Sequence, residues 1–185
     1  MHSRLVALLL CSSLLWAVQG CARTILPDAC GDDRIQFDVS TKSGQPAPAP
    51  PEAGKAQIVF LETSSKPRGG CFGLFTSCEA TARFGVDGSW VGATRGNSYF
   101  PLAVDPGVHH LCATLGKDIG VEALTVQAGK VYYYQANFNV DTTKYGTPQD
   151  PNLQIKKTGR FSLLSEDEGK FRVKASALST FKSNK

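Results

Sequence analysis

His109 and His110 are the residues best suited to chemistry in this chain, and many serines could serve as nucleophiles beside them. A nucleophilic serine on a strand-to-helix elbow needs a G-x-S-x-G frame. None is present, and Gly88-Ser89 belongs to a hairpin turn. Adjacent histidines on a strand point to opposite faces, so the pair does not converge on a metal. His109 shares its alternation with Leu111 and Ala113, which predicts a partly buried structural residue bonded near the Asp105-Pro106-Gly107 turn. Glu166, Asp167 and Glu168 are consecutive and point apart, whereas acid–base work needs two converging groups. They suit a helix N-terminus, whose dipole favours their charge. Asp32-Asp33 lacks the alternating oxygen ligands of a calcium loop. The expectation is a chain with no catalytic residue, no metal site and no cofactor. Exposed aromatics remain as a possible ligand surface for sugars or peptides: Trp90, Tyr133, and Phe72 and Phe75 of the 72–77 loop. The competing reading of Tyr132-Tyr133-Tyr134 is one strand alternating core and surface.

The six cysteines carry the other chemistry. Cys11 and Cys21 fall in or directly after a segment with the three parts of a secretory signal. Arg4 is the positive n-region, Leu5 to Ala17 the apolar h-region, and Val18-Gln19-Gly20 the small-residue exit. The h-region is too short for the ~20 residues of a membrane-spanning helix. Val18-Gln19-Gly20-Cys21 resembles the bacterial lipobox, which implies cleavage before Cys21 and lipid on its sulfur. Ala22, where the inner-membrane retention pattern has Asp, then points to the outer membrane. The alternative is ordinary cleavage after Gly20 and a soluble periplasmic or secreted protein. Export makes disulfides the default for Cys30, Cys71, Cys78 and Cys112. Four cysteines allow three pairings. Cys71 and Cys78 bracket six residues and are placed to staple their own loop, which would leave Cys30 for Cys112. A zinc reading lacks any C-x-x-C.

These residues must be positioned by a β-rich frame. Eighteen Gly and ten Pro, with many Val, Tyr, Phe and Thr, favour strands and frequent turns. A hydrophobic content of 42% excludes a disordered chain. A net charge of +4 is too small and too scattered to imply a polyanion, so no nucleic-acid partner is expected. Arg34 to Val39 alternates as a strand. Ser43 to Gly54 is too rich in Pro for strand or helix and favours extended polyproline-like chain. Lys55 to Glu62 is apolar on both faces and reads as an interior strand. Asp87-Gly88 is a type I′ hairpin signal, predicting the pairs Val86–Ser89, Gly85–Trp90 and Phe84–Val91, with Trp90 covering Gly85. Strands follow at Ser98–Val104 and Val108–Leu115. Val121–Val126 is expected to pair with Val131–Val140, and Leu153–Ile155 with Phe161–Leu164. Ser165-Glu166-Asp167-Glu168 has capping-box spacing, and Leu164, Phe171, Ala175 and Leu178 would form the stripe of a short helix. Phe171, Val173 and Ala175 also alternate as a strand would.

The expected fold is therefore all-β: a single antiparallel β-sandwich, Ig-like or transthyretin-like, of about 7–8 strands with one short C-terminal helix. Its organisation is a signal peptide over 1–20, a lipidated N-terminus with a short strand and the Pro-rich segment over 21–54, the sandwich over 55–180, and a basic tail over 181–185. Three motifs in order carry a family likeness: Phe84-Gly85-Val86-Asp87-Gly88-x-x-Val91-Gly92, then Tyr99-Phe100-x-Leu102-x-x-Asp105-Pro106-Gly107-x-His109-x-Leu111, then Ala128-Gly129-Lys130-Val131-Tyr132-Tyr133. Together they resemble the bacterial domain of unknown function 2846, and their core is similar to PEGA-type surface domains. The resemblance implies an envelope location and a sandwich, and it carries no catalytic residues. Two roles follow as expectations. One is a non-enzymatic envelope lipoprotein held at the membrane by its lipid, contacting another envelope protein or cell-wall glycan. The other is a small-ligand or carbohydrate-binding module using the aromatics above.

Overall fold

The computed structural model describes residues 28–63, 81–142 and 155–184. Ten strands and one helix run in the order β1 (Gln36–Lys42), β2 (Ala56–Glu62), β3 (Thr81–Val86), β4 (Ser89–Arg95), β5 (Ser98–Val104), β6 (Gly107–Leu115), β7 (Asp118–Val126), β8 (Val131–Thr142), β9 (Ile155–Leu164), α1 (Glu166–Lys174) and β10 (Ala177–Asn184). They form a six-stranded sheet, β1-β10-β5-β2-β8-β9, and a four-stranded sheet, β4-β3-β6-β7. The two sheets face each other across a shared core. Phe60 of β2 lies with its ring centroid 4.9 Å from Phe84 of β3 and 5.2 Å from Phe100 of β5. Around them sit Ile58, Leu111, Ala113, Leu115 and Tyr134, all buried. Burial holds the Tyr134 phenol far above its ordinary pKa.

The larger sheet is buried on its other face as well. Val59, Leu61, Tyr99 and Tyr133 point away from the core and pack with Val173 of α1. That second layer explains why β2 is apolar on both faces, for it lies between β5 and β8 in the middle of the sheet. Alternation assigns faces correctly along β8, with Tyr134 and Ala136 inward and Val131 and Tyr133 outward.

Several expected pairings are corrected. Val126 and Val131 do not open a hairpin: β7 pairs with β6 in one sheet, and β8 pairs with β2 and β9 in the other. The chain likewise crosses between sheets from β5 to β6. Both members of each couple turn apolar residues toward the same core, so the connection arches over its rim instead of pairing them. Same-sheet neighbours must then come from distant segments, and β2–β8 and β10–β5 are parallel. The expectation of wholly antiparallel sheets fails for that reason. β9 is one strand running to Leu164, not half of a separate hairpin. The expected basic tail is the end of β10, paired along its length with β1 from Gln36↔Asn184 to Lys42↔Leu178. Its Phe181 ring stands 4.9 Å from that of Phe100 and 5.7 Å from that of Phe37.

The helix forms where its capping box stands. The Ser165 hydroxyl accepts from the Glu168 N–H, and the acidic first turn sits on the positive end of the dipole. Its buried face is Gly169 and Val173, one turn apart, rather than the expected stripe through Phe171, which is 68% exposed. Gly169 lies directly on the Tyr133 ring, where an added Cβ would fall 2.1 Å from Cγ. The residue that weakens the helix locally is the one that lets it seat.

Candidate functional site

The Asp87-Gly88 turn adopts the backbone that its sequence predicts, with φ of 49° and 80°. The expected pairs Val86–Ser89 and Gly85–Trp90 form, but Phe84 then pairs with Gly92, leaving Val91 as the extra residue of a bulge. Trp90 does not cover Gly85. The backbone of Ala29 and Cys30 does, with the Ala29 carbonyl 3.2 Å from where a Cβ would stand. Cys30 is fastened to Cys112 of β6 by a disulfide, Cα to Cα 5.2 Å. Residues 29–35 thereby lie along the outer face of the smaller sheet. The Trp90 Nε1–H donates to the Asp32 carbonyl at 2.8 Å, and the Arg83 guanidinium lies 4.5 Å from the Trp90 ring centroid. Arg83 also donates to the Ile35 carbonyl at 2.8 Å.

His109 lies beside this turn and closes the rim between the sheets. Its Nδ1 is 2.6 Å from Asp87 Oδ2, and its Nε2 is 2.8 Å from the Asp105 carbonyl. The Asp105 bond places it at the Pro106-Gly107 turn, as its strand position predicts. Asp87 accepts the His110 backbone N–H with its other oxygen at 2.8 Å, and Asp105 pairs with Lys55 at 2.7 Å. A carbonyl and a carboxylate only accept, so the arrangement is complete when both ring nitrogens are protonated. Burial opposes that charge, but the Asp105 carbonyl and the Asp87 carboxylate outweigh it and raise the His109 pKa. Asp87 is lowered: burial opposes its charge, and the His110 N–H and His109 more than offset it. With both nitrogens engaged, His109 is a clamp and has no free base to offer.

A groove opens on the far face, outside the six-stranded sheet. It has a volume of about 700 Å³ and runs between α1 and the Pro-rich strap of residues 45–51, over a floor of Tyr99, Val131 and Tyr133. This volume is ordinary for a binding cleft. The strap is held from below by side chains, the Tyr99 hydroxyl donating to the Pro46 carbonyl and Gln57 Nε2 to the Ala49 carbonyl, each at 3.2 Å. On the helix side, Lys170 pairs with Glu166 at 2.5 Å, and Lys174 stands further along the rim. Burial raises the Tyr133 phenol pKa. Sequence reasoning missed Tyr99, the strap contacts and this rim. The signal was the outward face that Tyr99 and Tyr133 share through β2.

Of the expected aromatic surface, Trp90 and Tyr133 are not brought together. Tyr133 is 6% exposed and roofed by Gly169, while Trp90 is half-buried on the opposite face of the molecule. Phe72, Phe75, Cys71, Cys78 and Cys21 lie outside the described residues. Among the described residues no three His, Cys, Asp or Glu side chains gather to hold a metal, and no helix is long and apolar enough to cross a membrane. No protein-family model, curated protein or solved structure matches the chain.

Proposed function

We propose that this chain is an exported, non-enzymatic lipoprotein of the bacterial envelope, anchored through Cys21, whose β-sandwich serves as an interaction module on the outer-membrane side of the periplasm. The observation that carries the reading is the Cys30–Cys112 disulfide. Such a bond belongs to an oxidising compartment, and it begins nine residues after the cysteine of the lipobox-like segment. Two sheets facing across the Phe60–Phe84–Phe100 cluster support the sandwich, of the Ig-like or transthyretin-like kind. The motif resemblance to the domain of unknown function 2846 and to PEGA-type domains points the same way. The carbohydrate-module alternative is weakened, since the Tyr133 ring face is taken by Gly169 and Trp90 is bonded to the N-terminal segment.

Metabolic labelling with an alkyne fatty acid in a Gram-negative host tests the anchor. The wild-type chain takes the label and fractionates with the outer membrane, and Cys21→Ser loses the label and becomes soluble. An unlabelled, soluble wild-type chain overturns the lipoprotein reading.

A further inference from the structure

The strap is docked by one face. Its two accepting carbonyls, Pro46 and Ala49, are three residues apart, and so are its two half-buried residues, Pro48 and Pro51. A polyproline II helix has three residues per turn and no internal hydrogen bonds, so this spacing is that of such a helix lying on a donor-bearing aromatic floor. Proline-rich ligands are recognised in the same way, by aromatic-lined grooves whose side chains donate to the free carbonyls. In this chain the ligand is in cis and covers one side of the floor only.

The groove beside the strap presents a second tyrosine hydroxyl on the same floor. Tyr133 lines it next to Val131 and Val173, and among the described residues no hydrogen bond uses the Tyr133 hydroxyl. Of the charged residues that line it, Lys170 and Lys174 stand on the helix rim against Glu166, with Lys130 and Asp167 acting on that rim from outside the lining. The mouth is therefore net positive. We propose that the groove between the strap and α1 binds an extended proline-rich peptide bearing acidic residues, one of its carbonyls accepting from the Tyr133 hydroxyl and its acid paired with Lys174. The inference deepens the interaction role proposed above by naming the partner's chemistry, and its test does not involve Cys21.

The test is fluorescence anisotropy with the oxidised mature chain and labelled nine-residue peptides. PEPAPEPAP should bind saturably, GEGAGEGAG at least tenfold more weakly, and PKPAPKPAP more weakly still. Tyr133→Phe keeps the ring under Gly169 and should weaken PEPAPEPAP binding at least threefold. Lys174→Glu, on an exposed helix position, should weaken it about tenfold and reduce its salt dependence. Thermal melts identify any variant that has lost its fold, and Tyr133→Phe and Lys174→Glu report independently. The proposal is overturned by no saturation up to millimolar peptide, by equal binding of the glycine peptide, or by full affinity in both variants. Failure here leaves the lipid labelling result standing, so the two readings fall separately.

Discussion

The His109 clamp makes stability depend on pH in a direction that the geometry fixes. Its folded pKa is raised above the ordinary 6.5, so the folded state holds the proton more tightly than the unfolded chain. The stabilisation is fully present below the unfolded pKa of about 6.5 and is lost as pH rises through the raised folded value. Asp87 behaves oppositely: its folded pKa is lowered, so its contribution is present above the unfolded 3.8 and lost as pH falls through the lowered value. The pair is therefore complete between about pH 4 and 6.5. A charge-assisted hydrogen bond is worth ~1.5–3 kcal/mol. The Asp87 side chain is 48% exposed while that of His109 is 15% exposed, so solvent screening reduces the figure to about 1 kcal/mol. In a domain of this size that is a melting shift of roughly 3 °C. Melts of the oxidised wild type and of His109→Gln from pH 5 to 9 should show a gap near 3 °C at pH 5.5 that closes above neutrality, and Asp87→Asn, which keeps the Asp105 carbonyl contact, should weaken the same dependence. Nitrogen NMR at pH 6 should find both His109 ring nitrogens protonated. A gap that widens with rising pH, or a His109 pKa below 6.5, refutes the clamp.

Two further substitutions probe the packing. Gly169→Ala gains ~0.5–1 kcal/mol of helix propensity but drives a methyl into the Tyr133 ring, an overpacking cost of ~1–3 kcal/mol; the melting temperature should fall by a few degrees, and a rise would show that α1 is not seated on that ring. Replacing Cys30 and Cys112 together by Ala opens a loop with a sequence separation of 82, which chain entropy values at up to about 4.5 kcal/mol; denaturant unfolding should show a loss of that order, with a steeper slope because the freed unfolded chain exposes more surface, and a loss under ~1 kcal/mol would mean that residues 29–35 hold without the bond.

Which parts of this fold the residues announce depends on the range of the forces involved. The Asp87-Gly88 turn is legible because positive φ at two successive positions is a local demand. Burial of β2 on both faces is legible because every position in it is apolar at the centre. Alternation tells which face a residue takes and not which strand lies beside it, so the arches at Pro106 and Gly129 have the same local pattern as ordinary hairpin turns. β10 carries no clear signal because Ser179, Thr180, Lys182 and Ser183 mix polar residues into a strand that lies between β1 and β5, with its longer pairing to a segment 140 residues earlier. The bulge at Val91 could not be read because Gly92 is set by contacts from afar: a Cβ there would meet Phe181 and Phe100. The groove was hidden for the same reason, since neither the strap nor Tyr99 has meaning until β5 and β2 are neighbours.

The disulfide and the strap together determine what the proposed anchor can do. Ser43–Gly54 looks like a stalk, but both its ends are fixed in one sheet, β1 against β10 and β2 between β5 and β8. It spans that sheet instead of lengthening the tether. With the proposed anchor at Cys21, the tether would be the six residues before Asp28, seven Cα–Cα steps that reach at most ~25 Å when fully extended. It enters at the Asp87-Gly88 turn, where the Gly88 N–H donates to the Ala29 carbonyl, and runs on along the outside of the smaller sheet. The groove opens on the outside of the larger one. A short leash on one face favours turning the opposite face away from the bilayer. The His109 clamp sits beside the Asp87-Gly88 turn, while Tyr133 and Lys174, the proposed peptide contacts, line the groove on the other face. Peptide binding should accordingly show no change between pH 6 and 8 in His109→Gln relative to wild type, while the melts differ.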